Sequence, residues 1–262
     1  MMKLMRADMY RIFRGKVIYI TVAIMIAMAV LTVYVLRTAA IQIGFTDDPD
    51  FFEAAEVMSG SIAARMALEG MNIMPYLFLP FMIVVAMASF SSDAIKNELS
   101  TGISRVKFFL AKWTLSSILC LMLMLLHLVL YVVFATTVDG FGNWGDGFFL
   151  EVIQAFGAQI LFALAFNSVG MFLCFVTRRT AAVNGIFIAF VLVPQMLVAL
   201  LSLAFPGAID IMFYDLGAQF GLFAQMATLS NREIARGLAI GAGYLIIPLA
   251  TGMALFKRAE IK

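Results

Sequence analysis

The sequence predicts an all-α membrane protein with six transmembrane helices and both termini in the cytoplasm. Hydrophobic residues make up 63% of its 262 residues, against about 45–50% in soluble proteins. Charged residues make up only 13%, against about 25% in soluble proteins, and they are concentrated between the apolar stretches. A chain of this composition has too little polar surface to cover a soluble globule. Its solvent is therefore predicted to be lipid.

Six apolar stretches have the length of about 20 helical residues that a bilayer core of about 30 Å requires. They are residues 17–36, 72–91, 114–138, 152–176, 181–203 and 237–256. The first follows basic residues, as the apolar part of a signal peptide would. It is longer than the usual ~7–15 residues of such a part, and no small-x-small cleavage site follows it. We therefore expect a retained anchor, and a single transmembrane domain over residues 1–262.

The distribution of basic residues predicts the orientation. The N-terminal segment, the second-to-third and fourth-to-fifth connections and the C-terminal tail together hold 14 of the 18 Lys and Arg residues. The alternate connections hold 12 of the 16 acidic residues. Because Lys and Arg near span ends mark the cytoplasmic side, both termini are predicted to be cytoplasmic, as an even number of spans requires.

Residues 1–16 are predicted to form an amphipathic helix on the membrane surface. Met5, Met9, Ile12 and Phe13 recur at helical spacing, and basic residues occupy the rest of the helix circumference. This arrangement suits contact with anionic lipid headgroups. The alternative is a positively charged topology signal that has no further role.

The two long outer segments are predicted to contain short helices. In residues 37–71, Asp48 is a predicted N-cap, and a second helix over 60–69 ends at Gly70 as a C′ residue. Residues 204–236 contain proline and glycines that prevent a span, yet they are too apolar for a free loop. That composition favours a re-entrant or interfacial helical hairpin.

Residues 92–113, between the second and third spans, carry the most specific pattern in the chain. The pattern comprises Ile95-Lys96-Asn97, Leu99-Ser100, Gly102-Ile103-Ser104-Arg105, Lys107 and Lys112. It resembles the cytoplasmic loop of ABC-2-type permeases, the membrane subunits of one class of ATP-driven exporters. The order of predicted segments along the whole chain resembles that family as well.

The resemblance implies that this loop couples the membrane helices to a cytoplasmic ABC ATPase subunit. The implied coupling residues are Asp93, Lys96, Glu98, Leu99, Gly102, Ile103, Ser104, Arg105 and Lys107. Acidic residues toward one end of the segment and basic residues toward the other would complement a helix dipole. Gly102 would separate two short helical pieces, and Arg105 offers a forked donor to carboxylates of a partner. A merely basic inner loop, which membrane topology alone requires, is the alternative.

The resemblance also implies the partners and the location. A second permease, either another copy of this chain or a homologue, would complete the pathway in the plasma membrane of a bacterium. The sequence has no G-x-x-x-x-G-K-[ST] motif, so ATP and Mg are expected on a separate ATPase chain and no cofactor on this one. The formal net charge of +2 does not favour nucleic acid as a partner.

Polar residues inside the spans are candidates for a substrate path, because they are costly in a bilayer. The candidates are His127, Asn167 and Gln195, together with Pro194, the residue that precedes Gln195. For His127, a hydrogen bond to a neighbouring helix is the simpler interpretation, and Pro194 is expected to bend its span. The single histidine of the chain disfavours an intramembrane enzyme. A six-helix secondary transporter or channel without ATP coupling is the alternative function, although no charged residue lies in mid-span.

The uncharged interior predicts a hydrophobic or amphipathic cargo. Family members that export peptide toxins, bacteriocins or antimicrobial agents from Gram-positive bacteria resemble this chain in size and plan. The outer segment 37–71 has six acidic and two basic residues, so it would attract a cationic cargo if it takes part in transport. Simple solvation of the segment is the alternative.

Overall fold

The structure is a computed structural model, and it describes residues 2–43, 59–91, 95, 102–145, 147–204 and 214–258. These residues form helices and short connections, without a strand among them. Six segments of the described chain are long and apolar enough to cross a membrane. The predicted all-α membrane fold with six spans is confirmed, and the chain is a multi-pass membrane protein. The predicted helix start at Asp48 lies outside the described residues.

The helices of the described chain are numbered here in order. They are α1 (Met2–Arg14), α2 (Lys16–Ile43), α3 (Gly60–Glu69), α4 (Met74–Ser91), α5 (Arg105–Asp139), α6 (Phe148–Thr177), α7 (Thr180–Ala204), α8 (Ala218–Ala224) and α9 (Asn231–Arg258). Two 3₁₀ turns, Gly70–Ile73 and Met226–Thr228, follow α3 and α8. Helices α3 and α4 together form one span, and the other five spans are α2, α5, α6, α7 and α9.

Helix α1 corresponds to the amphipathic segment predicted over residues 1–16. Ile12 is buried, whereas Arg6 is exposed on another side of the helix. At Gly15 the chain bends before α2 begins, and the Gly15 N–H still bonds to carbonyls of the last turn of α1. Helix α1 contacts α2, α4 and α5, so it is packed against the bundle.

The predicted outer helix over 60–69 is present as α3 with the predicted bounds, but Gly70 does not end it as a left-handed C′ glycine. Gly70 has φ −76° and ψ −2°, a right-handed conformation instead of the left-handed one of a C′ glycine. Its N–H still bonds to the Met66 carbonyl, so the chain continues through a 3₁₀ turn into α4. The second span therefore begins before residue 72, because α3 and α4 form one apolar path over Gly60–Phe90.

Helix α5 begins at Arg105, so the loop predicted over 92–113 is shorter than expected. Ser104 caps the helix with an extended backbone (φ −65°, ψ 145°), and its hydroxyl accepts the Lys107 N–H at 3.4 Å. The uninterrupted apolar run starts only after Lys112, but lysine is a good helix former and does not interrupt a helix. Arg105, Lys107 and Lys112 therefore belong to the first turns of a membrane helix.

Helix α8 lies in the middle of the apolar outer segment 204–236. Phe220 and Phe223 are fully buried, and their ring centroids lie 6.1 and 4.9 Å from that of Phe162 in α6. This packing explains why an outer segment is so apolar, since α8 covers part of α6. The last residues of the segment already belong to α9.

Helices α6 and α9 make the most extensive helix contact among the described elements, and glycines permit it. A Cβ atom at Gly241 would lie 2.8 Å from the Phe162 ring of α6. One at Gly252 would lie 3.5 Å from the Phe172 ring of α6 and 3.0 Å from the Phe109 ring of α5. A larger residue at either position would have to displace a buried ring. The small residues near the start of the sixth span thus serve close helix packing.

Basic and acidic segments lie at opposite ends of the bundle. At the end that we call the basic end, α1, the start of α5, the α6–α7 turn and the end of α9 come together. There Arg105 contacts Lys257, and Arg178 lies over a ring of α4. At the other end, the acidic end, α3 and α6 meet through Arg65 and Glu151, 3.9 Å apart. The alternation of charge along the sequence therefore corresponds to two ends of the folded chain.

Candidate functional site

The predicted coupling segment lies at the basic end, and the structure describes its second half. Gly102, Ile103, Ser104, Arg105 and Lys107 are described, whereas Asp93, Lys96, Glu98 and Leu99 lie outside the described residues. Ile95, which lies between Asp93 and Lys96, is described, and its side chain is buried. The described half contains two basic coupling candidates, and Lys112 follows them in the same helix.

Gly102 and Ser104 shape the entry into α5. Gly102 is exposed and has φ +83°, in the left-handed region that glycine adopts without steric cost. Ser104 then starts the helix as its N-cap. Gly102 therefore introduces a break on the N-terminal side of α5, while the helical piece predicted before it lies outside the described residues.

Arg105 connects the start of α5 to the end of α9. Its Nη1 donates to the Lys257 carbonyl at 3.2 Å. Lys257 lies in the last turn of α9, where carbonyls lack helical partners and the helix dipole favours a cation. Arg105 and Lys107 lie in the first turn of their own helix, at the positive end of its dipole. The prediction that these basic residues stabilise the dipole of their helix is therefore wrong. The end of α9 supplies the complement to Arg105, and the Lys107 side chain is exposed.

Five phenylalanines, which we call the aromatic cluster, join the ends of four spans near Arg105. They are Phe90 of α4, Phe108 and Phe109 of α5, Phe175 of α6 and Phe256 of α9. The ring centroid of Phe175 lies 4.6–5.4 Å from those of Phe90, Phe109 and Phe256, and the edge-to-face geometry is one that aromatic pairs prefer. Phe108 stacks on Phe256 at 5.9 Å. Because such interiors are close-packed, a shift of the start of α5 would displace α4, α6 and α9.

A buried ion pair attaches α1 to α5 at the same end. Lys112 Nζ lies 2.6 Å from Asp8 Oδ2, and the two side chains are 0% and 5% exposed. Arg11, a more exposed residue, binds the other Asp8 oxygen at 2.8 Å. The Lys112 ammonium also lies 5.3 Å from the ring centroid of Phe108, within the range of a cation–π contact. The ion pair therefore connects α1 to the aromatic cluster.

The sequence prediction placed Lys112 in a loop and did not find this pair. Two signals point to it. The apolar residues 108–111 extend the third span back past Lys112, and Asp8 is the one acidic residue in the basic N-terminal segment. Neither signal identifies the partner, because Asp8 and Lys112 are 104 positions apart.

Asn167, a predicted substrate-path residue, is the centre of a polar contact between α5 and α6. Its Oδ1 accepts the Ser116 hydroxyl at 2.6 Å, and its Nδ2 donates to the Ser117 hydroxyl at 2.8 Å. One turn away along the interface, Trp113 Nε1 donates to Ser168 Oγ at 2.9 Å. Asn167 is fully buried, so its polar groups serve helix adhesion in this structure.

Replacing Asn167 with leucine is expected to lower the free energy of unfolding by about 1–3 kcal/mol, because two buried hydroxyls lose their partner. Thermal unfolding in detergent, followed by a dye that labels the two buried cysteines, measures the change. Gln154→Leu is the control, because Gln154 is an exposed amide on the same helix and its replacement should change little. Equal unfolding midpoints for the two variants would contradict the adhesive role of Asn167.

His127 lies at another helix contact. It is 2% exposed, its ring centroid lies 4.5 Å from that of Tyr131, and a Cβ atom at Gly70, which follows α3, would lie 3.8 Å from its Nε2. The hydrogen bond to a neighbouring helix that the sequence favours stays a prediction, because the buried Nε2 has no hydrogen-bond partner among the described residues. His127 is therefore placed between α5 and α3, and Asn167 between α5 and α6.

Pro194 and Gln195 lie inside α7. Gln195 lines a cavity of about 580 Å³ at the acidic end, together with residues of α8 and its approach. Of the four predicted path residues, Gln195 is the one that the structure places on this cavity. The four residues do not form a common site in the described part of the chain.

Three further findings bear on function. Within the described residues, no three His, Cys, Asp or Glu side chains converge on a metal position. No protein-family model matches the chain, and no curated protein is similar to it at a significant level. The geometry of the basic end and the pattern of residues 92–113 are therefore the basis for assigning a function.

Proposed function

We propose that this chain is the membrane permease subunit of an ABC-2-type exporter. It works with a second permease, either another copy or a homologue, and with separate ABC ATPase subunits that hold ATP and Mg. The cargo is hydrophobic or amphipathic, such as a peptide toxin, a bacteriocin or an antimicrobial agent. Transport is outward across the plasma membrane, and the basic end faces the cytoplasm.

The observation that supports this proposal best is the set of contacts made by the start of α5. The segment that resembles a coupling loop leads through Gly102 and Ser104 directly into this helix. There Arg105 contacts the end of α9, the aromatic cluster contacts α4, α6 and α9, and Lys112 contacts α1. A loop that served topology alone would need basic residues, but it would not need attachments to four other helices.

These contacts suggest how coupling would work. An ATPase whose docking groove carries carboxylates would hold Arg105 and the exposed Lys107. Closure of the ATPase on ATP would push the start of α5, and the packed aromatic cluster would pass that displacement to three other spans. The spans would then move as rigid bodies between two packed arrangements.

Coexpression with candidate ABC ATPases of the source organism tests the proposal. We expect the two chains to purify together and to hydrolyse ATP in liposomes, whereas this chain alone should show no ATPase activity. A matched complex with the P-loop lysine of the ATPase replaced is the control, and it should assemble without turnover. Flux of a solute through this chain alone along an ion gradient, without ATP, would favour a secondary transporter or channel and contradict the proposal.

A further inference from the structure

The cavity at the acidic end contains a buried carboxylate. Its volume is about 580 Å³, and its polar lining includes Asn72, Gln195, Asp215, Gln225 and Thr228. Asp215 is 8% exposed, whereas Asn72, Gln225 and Thr228 are exposed. The carboxylate therefore lies at the bottom of the cavity, and neutral polar side chains surround its mouth.

Asp215 has acceptor capacity that the protein does not use. Its Oδ1 accepts the Gly217 N–H at 3.3 Å, and its Oδ2 accepts the Ala218 N–H at 3.0 Å. A carboxylate has about four acceptor positions, so room is left for a donor from the cavity. The pKa of Asp215 is raised, because burial has a larger effect than these two hydrogen bonds, which lower it. Within the described chain no Lys or Arg forms an ion pair with this carboxylate.

Gln195 and the aliphatic lining complete the site. A Cβ atom at Gly217 would meet both the Gln195 amide and Asp215 Oδ2, so the missing side chain of Gly217 lets two polar groups share the cavity floor. Val198, Leu222 and Leu229 form an apolar part of the wall. A single acid beside amides and aliphatic side chains complements an ammonium or guanidinium group on an apolar chain.

We propose that this cavity binds the cationic head of an amphipathic molecule, an alkylammonium or alkylguanidinium group that pairs with Asp215. The molecule would be the cargo of the exporter, and that role rests on the proposed function. The binding site itself does not rest on it. From the sequence, the acidic residues of 37–71 are expected to attract a cationic cargo. In the structure, the carboxylate that would bind the cation is Asp215, which lies in the segment 204–236.

Two matched fluorescent probes test the charge selectivity. Each carries a dansyl group on an octyl chain, which ends in a primary ammonium in one probe and in a carboxylate in the other. With the full chain in lipid nanodiscs and no ATPase present, we expect the ammonium probe to bind about tenfold more tightly or better. Asp215→Asn should remove that preference, because it removes the charge, while its one amide oxygen can still accept one of the two backbone N–H groups.

A glycine pair tests the location. A Cβ at Gly221, which lines the cavity, would meet nothing within 4 Å, so Gly221→Leu should fill the cavity and weaken binding of the ammonium probe. Gly157 of α6 has equally open surroundings and is exposed, but it does not line this cavity. Gly157→Leu should therefore bind the ammonium probe as the unmodified chain does.

Equal affinity for both probes, or unchanged ammonium binding in Asp215→Asn, would overturn the inference. If Asp215→Asn fails to fold, the Gly221→Leu and Gly157→Leu pair decides, and equal binding by these two variants overturns it. Selective ammonium binding without ATPase assembly would retain the cavity site and reject the exporter. ATP-driven transport without selective ammonium binding would retain the exporter and reject the cavity site.

Discussion

Replacing Lys112 with methionine is expected to lower the free energy of unfolding by about 3–5 kcal/mol. The change leaves Asp8 as a buried carboxylate, and its remaining ion-pair partner is the partly exposed Arg11. Loss of one member of a buried pair costs more than the pair itself contributes, because the other charge stays out of water. Titration with a denaturing detergent measures the free energy, and labelling of the two buried cysteines reports the unfolded fraction.

Two further variants separate the ion pair from other effects. Lys107→Met removes an exposed lysine from the first turn of the same helix, and it should change the stability by less than about 0.5 kcal/mol. The double variant Asp8→Leu with Lys112→Met removes both charges and should recover most of the loss. A double variant as unstable as Lys112→Met would show that the carboxylate is not the source of the destabilisation.

Replacing Arg105 with glutamate is expected to weaken assembly with the ATPase by about 2–5 kcal/mol if the contact is buried. The variant turns an attraction to carboxylates into a repulsion, and it also removes the donor to the Lys257 carbonyl. Copurification of the two subunits and ATP-dependent transport in liposomes measure the loss. Arg105→Gln keeps a donor without the charge, so it isolates the electrostatic part.

Two neighbouring charges give matched comparisons for this prediction. Lys107→Glu reverses an exposed charge in the same turn of α5 and should weaken assembly as well. Arg179→Glu reverses an exposed charge at the basic end but outside the coupling segment, and it should have a smaller effect. Normal assembly and transport by Arg105→Glu would remove this residue from the coupling site.

Part of the candidate site could be predicted from local pattern. Gly102 and Ser104 have the residue types that a break and an N-cap need, and the structure has both features there. The end of α3 could not be predicted in the same way. Glycine permits a left-handed helix end but does not require one, and Gly70 keeps its helical hydrogen bond because the chain continues into α4.

The sequence by itself determined the fold class, because each apolar stretch of about 20 residues satisfies its own backbone in lipid as a helix. It also determined the segregation of charge between the connecting segments. Only the tertiary structure decided which side chains meet. The Asp8–Lys112 pair, the aromatic cluster and the Asp215 cavity join residues from helices far apart in the chain. Such contacts depend on how each helix is rotated against its neighbours, and a stretch that is apolar on all sides does not specify its own rotation.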